Sequence, residues 1–419
     1  MSKTMDGAGE NQLPSEQNKF IRFMREDHRY VFLGTSVVAL LGVYLSGTAR
    51  SPFSILAPIY AVECFMYALL IAWLCVSAAA GVSKYRLKDE YAAKSVFKTD
   101  GASKVEKIGS WVIWLTVAVF IVDRIILKFF YIADYALQAT SNPQNFVASC
   151  IYMLHAGRDV FAKGITTTIE LSVFGTTIAF FLALLLVFLR LQTPDRADND
   201  FVVFWKKLGC IFAKIYSSVV RGTPMMIQGL IIYFAGFGVL KSSGMDVTQV
   251  SALWSTFTAG LVTISLNSMA YMMEVLRGGI ESVDKGQAEA ARSLGLSQWQ
   301  TMRKVIFPQG IKNAIPALSN ELVVNIKDSS VLSIIGVFDL MFAMTTVAGI
   351  YYRQMEVYVM AAMMYLVLTM VASRILGRLA RHLDVDEPVL LSTSDMQAVD
   401  PMSKTAKNPS GLVKKKQVM

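Results

Sequence analysis

Residues 164–189 read GITTTIELSVFGTTIAFFLALLLVFL and stop against Arg190. A bilayer core about 30 Å thick is crossed by roughly 20 mostly apolar helical residues, so this run is long enough to span. Thr166 and Glu170 are the polar groups near its opening. Composition extends the reading to the rest of the chain: 54% of the 419 residues are hydrophobic and 17% charged, and the apolar residues come in blocks. That balance is not the one expected of a soluble globular chain. Lipid is the main solvent, and the expected fold is an all-α integral membrane protein.

Toward the N-terminus, Tyr30–Gly47 is an apolar block, and Phe53–Ala80 is a longer one that starts just after Pro52. The short link Thr48–Pro52 makes them a hairpin. Trp111–Val122 opens a third block that ends near Asp123 and Arg124, and Asn142-Pro143 marks a turn in the mixed segment that follows. Toward the C-terminus, residues 209–240 carry a span interrupted by Arg221-Gly222-Thr223-Pro224, and 252–276 carry another. Two weaker spans cover about 316–346 and 356–377. About eight spans result: three in an accessory region, 30–163, and five in a core region, 164–378. The first two blocks show no ionisable pair, which favours an accessory role for the N-terminal region. Residues 1–29 read as a cytosolic tail without the apolar stretch of a cleavable signal, and 379–419 as a polar cytosolic tail with a disordered composition.

Charge sets the orientation. With eight spans and the N-terminus inside, 33 of the 40 Lys and Arg fall on cytosolic segments. Cytoplasmic loops are enriched in these residues, so both termini are expected on the cytosolic side of the membrane. The formal charge of +9 is thereby explained without nucleic acid, for which there is no motif. Four scattered cysteines, Cys64, Cys75, Cys150 and Cys210, form neither a disulfide framework nor a paired metal-ligand spacing. With only His28, His155 and His382, the chain lacks the His pair of a helical zinc site. The dipeptide Gly-Lys never occurs, so there is no phosphate loop of the kind that holds a nucleotide. If energy is used, another chain supplies it, and no covalent chemistry or cofactor is expected in this one.

Residues 286–336 read GQAEAARSLGLSQWQTMRKVIFPQGIKNAIPALSNELVVNIKDSSVLSIIG. Glu289-Ala290-Ala291 begins a small-residue helical turn, Gly295 breaks it, and a second amphipathic turn runs through Trp299, Met302, Val305 and Ile306 to Pro308. Small residues let another protein approach closely, and Gly295 supplies the positive φ such a turn requires. The combined spacing of Glu289, Ala290, Ala291, Gly295 and Pro308 resembles the EAA loop of binding-protein-dependent ABC importer permeases. Arg221-Gly222-Thr223-Pro224, Ala270-Tyr271 with Glu274, Arg277-Gly278-Gly279-Ile280, Pro308-Gln309 and Lys327-Asp328-Ser329-Ser330 resemble its polar amino acid branch, which serves histidine, glutamate, glutamine or arginine. The resemblance covers about 164–378. Ser329 stands where that branch usually has Thr, and Asp339 where it often has Glu.

The resemblance implies a type I importer core of five transmembrane helices, in which the EAA loop docks on the ATPase. It also implies an assembly of two ATPase subunits, which use ATP and Mg, a soluble or lipid-anchored amino acid binding protein, and a second permease copy or homologue in the lipid bilayer. On residues alone, an ion-gradient-driven transporter or channel and a non-transporting scaffold or receptor remain open.

Helical spacing nominates a path. Asn267, Tyr271 and Glu274 follow i, i+4, i+7 and share a face, as do Glu321, Asn325 and Asp328. Ionisable groups inside spans are costly and tend to face a cavity or partner, so these residues are candidates for a polar substrate route, with Thr166 and Glu170 at its other end. Glu274 is equally readable as the partner of Arg277, and Lys327-Asp328 as a structural pair at a cytosolic gate.

Overall fold

In the computed structural model, residues 30–87, 90, 94, 96–98, 100–194 and 198–382 are described, and every regular element among them is helical. The expected tails, 1–29 and the part of the last segment beyond 382, lie outside the described residues. Five helices are long and apolar enough to cross a membrane, Tyr60–Leu87, Arg158–Arg190, Met225–Ser242, Thr256–Glu281 and Gln354–Arg378, and a bent pair would make a sixth. The chain divides into two compact units between His155 and Ala156.

The first unit begins with α1, Tyr30–Ser46, and α2, Tyr60–Leu87. The second apolar block was expected to be helical from Phe53, but residues 51–59 are irregular. The third helix, α3 (Asp100–Ile121), also departs from expectation, because it continues through a π-turn at Val122–Ile126 into α4, Leu127–Gln138. Asp123 and Arg124 therefore do not end a span; they are 1% and 3% exposed. The Asp123 carboxylate accepts from the Ser54 hydroxyl at 2.8 Å and from the backbone N–H groups of Ile55 at 2.7 Å and Leu56 at 3.2 Å, which pins the irregular link. Arg124 pairs with Glu63 of α2, which also takes Arg50 at 2.8 Å. No ionisable pair lies within the first two blocks themselves; Glu63, in the second, takes its cations from the link and from the π-turn. Pairing is what lets such groups sit inside an apolar bundle. Around them Ala39, Leu70, Ile113, Val117 and Phe120 form the unit's apolar core, and α5 (Phe146–Ala156) follows in the chain.

The second unit is built on α6, Arg158–Arg190. Thr223-Pro224 separates α7 (Asp200–Gly222) from α8 (Met225–Ser242), so the interrupted fifth block is two helices. Pro224 has no N–H to continue the ladder and starts α8 instead. After a short α9 (Val247–Leu253), α10 (Thr256–Glu281) packs along α6. Next come α11 (Lys285–Ser293) and α12 (Gln298–Thr301), which runs through a π-turn at Met302–Ile306 into α13, Phe307–Asp328. The second helix of the charged segment was expected to stop at Pro308; it instead continues past it, with Pro308 just after the π-turn, where the regular hydrogen-bond ladder is already interrupted. A 3₁₀ turn, Ser329–Ile335, and Gly336 at φ +86° lead to α14 (Leu340–Tyr351), so the seventh block is bent by 54°; α15 (Gln354–His382) is last. Backbones meet where α10 crosses α13: a Cβ on Gly279 would lie 2.6 Å from the Gly310 carbonyl oxygen. Small residues at such crossings are how helices pack where lipid gives no hydrophobic drive.

Candidate functional site

Three arrangements in the second unit contain the nominated residues. The first is the turn between α11 and α12. Asp284 caps α11 by accepting from the Gly286 N–H at 2.8 Å. At its other end Gly295 has φ +83°, its N–H donates to the Arg292 carbonyl at 2.9 Å, and the Leu296 N–H reaches back to the Ala291 carbonyl at 3.2 Å. These two bonds are a Schellman motif, which satisfies carbonyls the helix end would leave open. Ser297 then caps α12, with Gln300 returning the bond. One face of this element is anchored: Val283 and Ile306 are buried with Leu186, Val187 and Leu276, and Met302 packs against them. Ala291 is buried as well. The other face is open, carrying Glu289, Ala290, Gly295 and Pro308, with Leu294 84% and Trp299 57% exposed.

The second arrangement is a cavity of about 560 Å³ lined by Arg190, Lys214, Ser217, Arg221, Tyr271 and Glu274. Tyr271 lies under the Arg221 guanidinium, 5.4 Å from ring centroid to Cζ. Glu274 accepts from Arg277 Nε at 2.7 Å and from the Ser217 hydroxyl at 3.3 Å, so the ion pair read from spacing and the cavity lining coexist in one side chain. Arg277 is shared with Glu281. The wall offers charges of both signs, with cations in excess. Sequence reading gave Arg190 only as an interfacial stop, took Arg221 only as part of a motif, and missed Lys214 and Ser217. A basic residue seven positions before Arg221, on the same helical face, was the available signal.

The third arrangement is a pair of buried amides. Asn267, 7% exposed, donates to Gln228 Oε1 at 3.0 Å. Gln228 in turn donates to the Val220 carbonyl at 2.7 Å and to the Thr223 hydroxyl at 2.8 Å, bridging the break between α7 and α8. Asn325, 2% exposed, accepts from the Ser268 hydroxyl at 2.8 Å and donates to the Thr176 hydroxyl at 2.7 Å, which ties α13 to α10 and α6. Neither amide lines the cavity. Glu321 and Asp328 are half-buried on α13, Lys327 is exposed, and among the described residues no ion pair joins Lys327 to Asp328. Thr166 and Glu170 are exposed on α6, with Glu170 about 30 Å along the helix from Arg190. Asp339, fully buried, caps α14 by accepting from the Phe342 N–H at 2.9 Å and accepts from the Tyr365 hydroxyl at 3.3 Å; the Ser329 hydroxyl donates to the Ile326 carbonyl. Among the described residues no group of three or more His, Cys, Asp or Glu is placed to hold a metal ion.

Comparison with known proteins gives the family. Residues 201–385 match the family described as binding-protein-dependent transport system inner membrane component. The chain is 37% identical over 173 residues to the glutamine transport system permease protein GlnP of Escherichia coli K12, covering 41% of this chain and 75% of that protein. It is 40% identical over 163 residues to the putative glutamine transport system permease protein GlnP of Rickettsia bellii, covering 39% and 70%. Over 209 residues it is 32% identical to the arginine transport system permease protein ArtQ of Bacillus subtilis 168, covering 50% and 85%. A solved structure, described as a crystal structure of an amino acid ABC transporter with histidines, matches at 33% identity and a TM-score of 0.47, covering 57% of this chain and 99% of that one.

Proposed function

The chain belongs to the binding-protein-dependent transport system inner membrane components, in their polar amino acid ABC permease branch, and from that premise we propose that it moves a polar amino acid across the bacterial cytoplasmic membrane by alternating access, driven by a separate ATPase docked on the α11–α12 turn. The observation that carries the docking assignment is the two-faced build of that turn. A helical element seated in the core through Val283 and Ile306, yet presenting Leu294 and Trp299 outward, transmits a push on its outer face to α10 and α13. Exposed large apolar residues beside a rigid cap mark a surface that a partner covers.

The assembly is two such permease chains or a homologous pair, two ATPase subunits and an amino acid binding protein. Eight spans with both termini cytosolic put the α11–α12 turn on the ATPase side, a reading that the 33-of-40 distribution of Lys and Arg supports. The cavity under Arg221 and Tyr271 stands on the transport route. Its mixed charges suit a zwitterionic solute, and the two states it serves must lie close in free energy for ligands to bias them.

A cysteine in place of Ser293, exposed on the outer face of α11, tests the docking assignment. Disulfide or bifunctional crosslinking to the ATPase subunit is expected in the assembled transporter. Absence of any such crosslink, with efficient crosslinking from another cytosolic segment, would refute it.

A further inference from the structure

The first unit contains a cavity of about 280 Å³ between the α1–α2 link, α4 and the start of α5, whose polar lining residues are Arg50, Ser51, Lys128, Tyr131, Tyr135 and Asn145, set among Pro52, Ile132 and Ala148. Its polar side chains carry hydrogen-bond donors and no carboxylate. Arg50 already meets Glu63 at 2.8 Å and lies over the Tyr60 ring, yet its side chain stays 39% exposed. Lys128 is half-buried and has no carboxylate partner among the described residues. Arg50, Arg124 and Lys128 thus face only Glu63 and Asp123, which leaves one positive charge uncompensated next to the cavity. Ser51 is 6% exposed and its hydroxyl has no hydrogen-bond partner among the described residues, a costly state for a buried polar group. Asn145 Oδ1 accepts from the N–H groups of Val147 and Ala148, so its amide nitrogen is what remains to donate.

Two cations and an amide donor line one cavity whose wall also contains Ser51 with its buried orphan hydroxyl, a donor set that suits an oxyanion. The surroundings name the carrier. Tyr131 stacks edge-on against the exposed Phe53 at 5.4 Å, and Tyr60, Phe129, Phe130 and Tyr135 are also exposed, the aromatic clustering found where a protein meets the headgroup layer. We propose that this cavity seats the phosphate of a phospholipid headgroup, held by Lys128, Arg50 and the Ser51 hydroxyl, with the acyl chains continuing into the surrounding bilayer. Bound there, the lipid supplies the missing negative charge and fastens the link between α1 and α2 to α4.

The test uses the full chain, delipidated in detergent and titrated separately with phosphatidylglycerol, with diacylglycerol and with inorganic phosphate, binding being read by native mass spectrometry and thermal unfolding. Phosphatidylglycerol is expected to bind and raise the unfolding temperature, and diacylglycerol to do neither. The double variant Lys128→Gln, Ser51→Ala should weaken phosphatidylglycerol binding by about tenfold or more, and Lys128→Arg should retain it. Lys241→Gln, in the other unit, should leave it unchanged. Binding of inorganic phosphate with no preference for the lipid would keep the oxyanion site but overturn the lipid as its source. Equal binding of phosphatidylglycerol and diacylglycerol, or unaltered phosphatidylglycerol binding in the double variant, would overturn the site itself.

Discussion

Substitution at Gly295 separates the cost of a turn from the cost of a contact. The residue sits at φ +83°, and nothing lies within 4 Å of the position a Cβ would take, so a side chain there meets no steric wall. Whatever penalty appears is conformational. Asn tolerates this left-handed region, Ala is strained by about 1 kcal/mol, and Val, being β-branched, by about 1–3 kcal/mol. On the proposed docking surface the last figure shifts the ratio of formed to unformed turn by roughly 5- to 150-fold. The strain falls on the bonds from Gly295 and Leu296 to the end of α11, while the buried anchors Val283 and Ile306 are untouched. Membrane insertion and thermal stability should therefore stay near the wild-type values. In proteoliposomes holding the ATPase, stimulation of hydrolysis by loaded binding protein should fall in the order Gly, Asn, Ala, Val, with amino acid uptake following it. Wild-type stimulation in Gly295→Val would refute the docking assignment, as would a ranking that follows side-chain volume rather than tolerance of positive φ.

Asn267→Leu removes the donor to the half-buried Gln228 and should cost about 0.5–1.5 kcal/mol in thermal unfolding of the purified protein; Gln228→Leu, which also loses the bonds to Val220 and Thr223, should cost more, and the double variant should lose less than the sum, whereas full additivity would deny that the two act as one bridge. Gly310→Ala drives a methyl to within 2.7 Å of the Ile280 Cα and should cost about 1–3 kcal/mol through overpacking, read as a lower unfolding temperature and poorer yield, whereas an unchanged midpoint would mean that α10 and α13 separate freely. For orientation, single cysteines at Lys104 and Gln144, with the four native cysteines replaced, should react with membrane-impermeant reagent only at the second; outside labelling of Lys104 would break the eight-span topology.

Much of the helical order was legible because apolar run length is a direct consequence of bilayer thickness, and because Gly295 and Pro224 punctuate the chain for stereochemical reasons that do not depend on context. The misread boundaries share a cause. Asp123 and Arg124 looked like the polar end of a span, since in an isolated helix charges mark the interface. Their partners, Glu63 and the link at Ser54–Leu56, lie some sixty positions earlier, and no local pattern announces that pairing. Pro308 misled in the opposite direction, because a proline can sit inside a helix beside a π-turn, where the regular ladder is already broken.

The candidate path shows what helical spacing can and cannot say. The i, i+4, i+7 rule places Asn267, Tyr271 and Glu274 on one face of α10, but a face is an angle and carries no information about what stands opposite. Across from Asn267 stands Gln228, which closes the break after Arg221-Gly222-Thr223-Pro224 by binding Val220 and Thr223. One turn further on, α10 faces α7 instead: Tyr271 lies under Arg221, Glu274 accepts from Ser217, and Lys214 and Arg190 complete the wall of the cavity. The same stripe is therefore a brace at one end and a cavity wall at the other. The brace has a consequence for the wall: the bonds from Gln228 fix where α7 ends, and so where the Arg221 guanidinium stands over Tyr271. Loss of Asn267 should consequently reach the cavity indirectly, by loosening Arg221, so an uptake defect in Asn267→Leu does not by itself place Asn267 in contact with the transported solute.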